Sequence, residues 1–589
     1  MVLLKKISSF FHRFSLEPSV WMAVAIAVPL LLLAALELIS YRLGGIYNVA
    51  ASRLWLFYMV VFFVFCYKII IGCLIDDVKR KNFLPLILIA AAGAVIFWGL
   101  GNPEYRQANY EAAQQLGDGV AALRSEDMNY HSFAFIGYPV RQYAMLAIPS
   151  LLFGPSLWAL QFPFDFCFFT GLLMFYAGLK RYFRGKSFNF CAVITAASIF
   201  ASPFVVRYMF IREQTFIPLS FVLIAVGLYI ILYIDYSVES IIAAGFCTAI
   251  LGSMYTPGLS ACALALYSLV YALASRIRKK RLKRKKDLPA IKFLNQSFIK
   301  LLPVNGIVLF AGATLLCTIL KMAEGNQLTT QGLDLEFVKN TIKMILTENP
   351  YGVFTFFTPI ALLFFFLAGL GFYGAYGAAL ALWSAACVIV SLVMKGYAPT
   401  SIVNVQRAMI IVPVDMAFIF IGFFNFVESW KLKKAFKYAA TGIAAALVAA
   451  SAWRNCTGGF NVAPNVDPHI SAVNTYLSLE ILDEIKEHPE FENASPALIY
   501  FPDYTLESNI WDYMKYFAPN LRVRVFLDEE FQMDMDESQG ILIYSKDRSK
   551  IPEELVAKYG EPSSKVQKIG DIEYTFYEIA AVPSQSPHS

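Results

Sequence analysis

Apolar runs close to 20 residues long recur through most of this chain, and about 30 Å of hydrocarbon needs about 20 helical residues to cross it. They fall near 20–41, 54–74, 84–101, 163–180, 188–206, 214–234, 239–254, 257–275, 301–320, 353–370, 374–394, 408–427 and 436–453. Of the 589 residues, 58% are hydrophobic and 16% are charged; an ordinary soluble domain is about a quarter charged. Bilayer is therefore the solvent. The runs predict an all-α polytopic membrane protein of about thirteen spans, followed by a small C-terminal α/β domain.

An odd span number puts the two termini on opposite sides. Lysine and arginine in short loops set which side. With the N-terminus inside, the cytoplasmic segments hold Lys5-Lys6, Lys79-Arg80-Lys81, Lys180-Arg181 with Arg184 and Lys186, the nine basic residues of Arg276 to Lys286, and Lys431, Lys433, Lys434 and Lys437. The piece Arg141 to Leu160, broken by Pro149 and Gly154-Pro155, reads as a helix lying on the membrane surface. Counting it as a span would move the polybasic run outside. That run anchors topology and attracts anionic lipid. The basic residues sit in short loops between spans, which argues against a nucleic-acid partner. The apolar stretch after the basic start is long and has no small-residue cleavage site, so it reads as a retained first span.

Three divisions follow: 1–83 with two spans, 84–453 as the main transmembrane domain with outward loops 102–162 and 321–352, and 454–589 as the outward soluble domain. In that domain, Ile470 to His488 has the helical spacing of Leu477, Ile481 and Ile485. Short strand runs follow at 497–500, 523–526, 541–544 and 574–577, with helices near 506–517 and 551–559 between them. Only Cys456 of the nine cysteines falls there, so no disulfide framework can form. The domain carries no Gly-rich phosphate loop and no metal-ligand spacing.

Chemistry-bearing residues gather at the outward ends of spans. The first loop opens Gly101-Asn102-Pro103-Glu104-Tyr105-Arg106, continues to Gly117-Asp118-Gly119, and then reaches Glu126-Asp127, His131 and Tyr138-Pro139. A carboxylate at a helix end beside a membrane-surface cavity could act as general base or hold a divalent cation; for any single residue here the plainer reading is a capping acid on a solvated loop. The next outward turn, Arg207 to Gln214, holds Arg212 and Glu213, and Arg407 follows Tyr397-Ala398-Pro399. Arginine suits bidentate phosphate contact, and it also snorkels at interfaces. Asp165 and Asp415 lie a few residues inside apolar runs, where a carboxylate is either functional or reaches interfacial water.

Taken in order, several of these stretches resemble the GT-C glycosyltransferases, in particular the branch holding protein O-mannosyltransferases and aminoarabinose transferases. Glu104 to Asp118 is similar to that branch's acidic loop start and the helix that ends in Gly-Asp. Tyr138-Pro139 through Phe153-Gly154 and Trp158-Ala159-Leu160 resemble its surface helix and the turn after it. Ser202-Pro203-Phe204 through Arg212-Glu213, Gly252 to Thr256, and Arg407 to Pro413 resemble later segments. Where the family has Asp-Glu, this chain has Pro103-Glu104, and Glu213-Gln214 stands where an aspartate is usual.

The resemblance implies a GT-C-like fold in a bacterial inner (plasma) membrane. It implies transfer of a hexosyl or pentosyl group from a polyprenyl-phosphate donor to a lipid, glycan or protein acceptor on the outer side. Glu104 would be base or metal ligand, with Asp118 and Glu213 as further acids. Arg141, Arg212 and Arg407 would contact phosphate, and a divalent cation could assist. The altered acidic pair keeps a second reading open, a non-catalytic protein on the same scaffold that binds lipid-linked glycan or a partner. A lipid or solute transporter is a third reading, although the chain shows no two related halves.

Overall fold

The computed structural model describes residues 18–43, 45–102, 146–183, 188–211, 216–234, 238–253, 412–429, 434–462, 471–488, 497–501, 510–517, 524–527, 540–545, 547–569 and 572–581, with isolated helical positions between 113 and 123 and at 336, 339, 363–364 and 366–367. The helices up to residue 253 are α1 (Pro18–Leu43), α2 (Ile46–Lys79), α3 (Leu84–Ile96), α4 (Ile148–Phe153), α5 (Leu157–Tyr182), α6 (Phe188–Phe200), α7 (Pro203–Ile211), α8 (Phe216–Ile234) and α9 (Val238–Ser253). After these come α10 (Val412–Ser429), α11 (Lys434–Val462) and α12 (Ser471–Glu487). Four stretches, Val24–Leu43, Ile46–Lys79, Leu157–Tyr182 and Lys434–Gly458, are long and apolar enough to cross a membrane, and shorter apolar helices accompany them. The chain is an integral membrane protein. Helix is the form such runs must take, because it satisfies every backbone group inside the segment.

The helix directions follow from side-chain contacts. α1 and α2 form a hairpin through Gly45, whose φ of 56° no β-carbon-bearing residue adopts easily. The Trp55 indole donates to Glu37 at 3.0 Å, and the Ser40 hydroxyl donates to Asn48 Oδ1 across the same hairpin. α9 runs antiparallel to α2: the Tyr58 ring lies 5.4 Å from Phe246, and Lys68 meets Glu239 at 2.6 Å. α8 runs parallel to α5. A β-carbon added at Gly171 would meet the Ser220 carbonyl at 2.7 Å, and one at Gly178 would meet Gly227 Cα at 2.8 Å. Glycine lets these two backbones touch, as small residues do where apolar lipid offers no drive for association. Trp55, Phe62, Phe164 and Tyr176 fill one continuous core drawn from α1, α2, α5 and their neighbours.

Several expectations need revision. α2 is 34 residues long, about 50 Å at helical rise, and extends past the expected 54–74 at both ends. α5 begins at Leu157, not 163, because Pro163 sits inside the helix. The piece 141–160 is therefore not one surface helix. Its described part is the short α4, stopped at Gly154 with φ 82°, and Leu157 to Leu160 already belong to the spanning α5. Leu152 and Phe153 are exposed, in keeping with contact to lipid. The expected spans 257–275, 301–320 and 374–394 lie outside the described residues, as does most of 353–370.

The C-terminal part is an α/β unit. β1 (Ala497–Phe501), α13 (Ile510–Phe517), β2 (Arg524–Leu527), β3 (Ile541–Ser545), α14 (Glu553–Tyr559), β4 (Ser563–Ile569) and β5 (Ile572–Ala581) follow in that order. The sheet order is β2-β1-β3-β5-β4, with β1 parallel to β2 and β3, and β5 antiparallel to β3 and β4. α12 presents the expected Leu477, Ile481 and Ile485, all buried. The edge strand β4 is tied to α12 through Lys565, whose ammonium lies 2.9 Å from Glu578, 3.4 Å from Glu484 and 3.6 Å from Glu480. Burial pushes the Glu578 carboxyl above its ordinary range.

Candidate active site

The two ends of the helical domain differ in chemistry. One end collects Lys79 at the end of α2 with Arg80 and Lys81 after it, Lys180 and Arg181 at the end of α5, and Lys434 and Lys437 at the start of α11. Lys437 donates to the Glu428 carbonyl at 2.7 Å, so the end of α10 is there too. Lys180 is not the solvated loop charge the sequence suggests. Its ammonium lies 2.7 Å from Asp77, 3.2 Å from Asp76 and 2.8 Å from the Cys73 carbonyl, and Asp77 also accepts from the Tyr176 hydroxyl at 2.9 Å. Lys180 and Asp77 are 5% and 0% exposed, a buried ion pair locking α5 to α2.

The opposite end gathers the start of α5, the end of α6 and the start of α10. The chain leaving α3 turns at Gly101, with φ 82°, and its amide donates to Gln161 Oε1 at 2.9 Å. A β-carbon at Gly101 would lie 3.3 Å from Trp158 Cβ, so the first outward loop starts pinned against α5. Asp165 sits one helical turn beyond Gln161 on the same face and is fully buried in protein. Further along that loop, Ala113 and Leu116 are helical and fully buried, while Val120 and Leu123 pack with Ala147, Leu56 and Leu151.

Over these the C-terminal domain closes. Tyr513, Tyr516 and Phe517 of α13 join the core of the helical domain. The Tyr516 hydroxyl donates to the Ser156 carbonyl at 3.2 Å and lies 2.7 Å from Ser150 Oγ, which then donates to it. Ser156 is the N-cap of α5, its hydroxyl accepting from Ala159 N at 3.2 Å. Burial pushes the Tyr516 hydroxyl up to about 12, so it stays a neutral donor.

The six expected site residues, Glu104, Asp118, Glu213, Arg141, Arg212 and Arg407, all lie outside the described residues. Their nearest described neighbours in sequence can be located. Asn102 follows the pinned Gly101, Gly117 lies against Tyr516, and α10, which follows Arg407, begins at this end. Asp415, in the first turn of α10, is 8% exposed, and Arg207 on α7 is exposed. Both intramembrane acids are thus held within the protein, and neither Asp165 nor Asp415 lies open to solvent. Among the described residues no group of His, Cys, Asp and Glu is arranged to hold a metal ion. Sequence reasoning did not single out Gln161, Ser150, Ser156 or Tyr516. The N-cap position of Ser156, just before an apolar run, is the one local signal that was available.

No protein-family model matches the chain, and no curated protein sequence matches it. Among solved structures, ArnT from Cupriavidus metallidurans in the apo state is similar over 87% of this chain and 100% of its own, with 13% identity and a TM-score of 0.47. The same protein bound to undecaprenyl phosphate is similar over 86% of this chain and 99% of its own, with 13% identity and a TM-score of 0.47. The arabinofuranosyltransferase AftD from Mycobacteria covers 86% of this chain, which spans 40% of AftD, with 12% identity and a TM-score of 0.43.

Proposed function

We propose that this chain transfers a sugar from a polyprenyl-phosphate donor to a lipid, glycan or protein acceptor, at the end of the helical domain that α13 of the C-terminal domain enters. The observation that carries the reading is the convergence of the first outward loop, the N-cap of α5 and helix α13 on one end, opposite the lysine- and arginine-rich turns. The positive-inside bias makes that the non-cytoplasmic end. The sequence resemblance supplies the donor class.

In this reading Glu104 takes the proton from the acceptor hydroxyl, and the oxygen attacks the anomeric carbon. The bond from that carbon to the phosphate oxygen breaks, its electron pair leaves with polyprenyl phosphate, and the sugar carbon inverts. Arg141, Arg212 and Arg407 balance the charge that grows on the leaving phosphate, an electrostatic contribution larger than the proton transfer. Asp118 and Glu213 are secondary acids. A divalent cation held at Glu104 would add positive charge beside the leaving phosphate.

Purified protein incubated with a panel of labelled hexosyl and pentosyl polyprenyl phosphates and acceptor lipids tests the proposal. Glu104→Gln should lower turnover by about 10²–10⁴-fold, the usual share of general base catalysis. Undiminished turnover in that variant removes Glu104 from the mechanism. The Pro103-Glu104 pair favours one rival, a scaffold that binds without reacting. Donor binding with no turnover across all donors and cations would select it.

A further inference from the structure

We infer that Tyr516 is a positioning residue, through which the C-terminal domain holds the first outward loop in its working place. The consequence for catalysis rests on the proposed function; the latch itself does not. Three observations lead there.

Tyr513, Tyr516 and Phe517 occupy positions i, i+3 and i+4 of α13, one face of a helix. All three are nearly inaccessible to solvent, inserted in the core of the helical domain. The Tyr516 hydroxyl reaches two residues more than 350 positions away in sequence, Ser150 on α4 and the N-cap Ser156 of α5. That grip adds geometry which the apolar contacts alone do not specify, because a hydrogen-bonded hydroxyl fixes direction as well as distance. On its other side, the Tyr516 backbone lies against Gly117, where an added β-carbon would stand 3.6 Å from both Tyr516 Cα and Tyr516 Cβ.

Gly117 directly precedes Asp118, and Ala113 and Leu116 of the same segment are buried in the core. The loop that carries the candidate acids is therefore held twice. Gln161 and Trp158 of α5 fix its start, and α13 presses on Gly117. The second hold belongs to a domain that supplies no catalytic group of its own in this reading. A displacement of about 1 Å at a reacting group can cost about 100-fold in rate, so a hold of this kind matters to turnover without touching substrate.

Two variants test this. Gly117→Cys with Tyr516→Cys would place the two sulfur-bearing carbons about as far apart as a disulfide requires. Mild oxidation of the full-length protein should give a 117–516 bridge, located by peptide mass mapping. Tyr516→Phe keeps the ring and removes both hydrogen bonds. It should raise deuterium uptake of the 111–123 segment about tenfold while α5 interior amides stay unchanged, and it should lower kcat about tenfold with the donor KM held. Wild-type exchange in Tyr516→Phe overturns the latch. Faster exchange with wild-type kcat overturns the positioning role and leaves Tyr516 as a docking contact. If the wild-type protein transfers no sugar from any donor, the functional reading falls while the exchange result still decides the latch.

Discussion

Lys180 shows how one side chain changes meaning once partners across the fold are known. In the sequence it stands beside Arg181 at the end of an apolar run, the usual mark of a cytoplasmic loop. In the structure it is buried against Asp77 of α2, a helix that α5 meets only in the folded protein, and Tyr176 of α5 donates to the same carboxylate. Lys180→Met leaves Asp77 uncompensated in the interior, and breaking a buried pair from one side costs about 3–5 kcal/mol. The expected result is a clear fall in the detergent-solubilised melting temperature, with most of the loss recovered in Lys180→Met/Asp77→Asn. Equal stability of Lys180→Met and wild type would show that the pair does not lock α2 to α5. The partnership was hidden from the sequence because 103 positions separate the two residues. Gln161 and Tyr516 were hidden for the same reason: a glutamine in an apolar run and a tyrosine in a soluble helix carry no local sign of what they reach.

Elements were more legible than residues, since an apolar run of about 20 residues points to a helix through its length alone. α1, α8, α9 and α10 lie within a few residues of the expected spans; α3 and α6 stop short of theirs, at Ile96 and Phe200, and α2, α5 and α11 run past theirs, α11 reaching Val462. The charged end of α2 stays helical because Asp77 has an internal counter-ion, and Pro163 stays inside α5. Four strands of the sheet match their apolar runs. The fifth, β4, was missed because an edge strand with Lys565 and Lys568 lacks an apolar pattern. The close pairing of α5 with α8 yields its own test. A β-carbon at Gly227 would run into the Met174 carbonyl oxygen, which the backbone cannot yield cheaply. Gly227→Val should destabilise the protein by about 1–3 kcal/mol or more, read as a lowered melting temperature, whereas Gly442→Val, with nothing within 4 Å of its added carbon, should not. Matching melting temperatures for the two variants would refute backbone contact between α5 and α8.

At the scale of the whole molecule, basic turns gather at one end and the C-terminal domain covers the other, an alternation that hydropathy and loop charge predict together. What neither predicts is that α13 enters the helical core and bears on the loop bearing Glu104 and Asp118. Docking of that kind depends on contacts hundreds of residues apart, and the candidate acids and arginines themselves fall in segments the described residues only flank. Sugar transfer at the covered end requires a lipid phosphate to bind there. A polyprenyl phosphate carrying a photoreactive group beside its phosphate measures this most directly, with cross-linked peptides mapped after irradiation of the protein in liposomes. Adducts are expected in the segments 99–118, 207–216 and 403–412, competed by unlabelled polyprenyl phosphate. Specific adducts confined to 76–82 and 180–187, at the basic end, would contradict it.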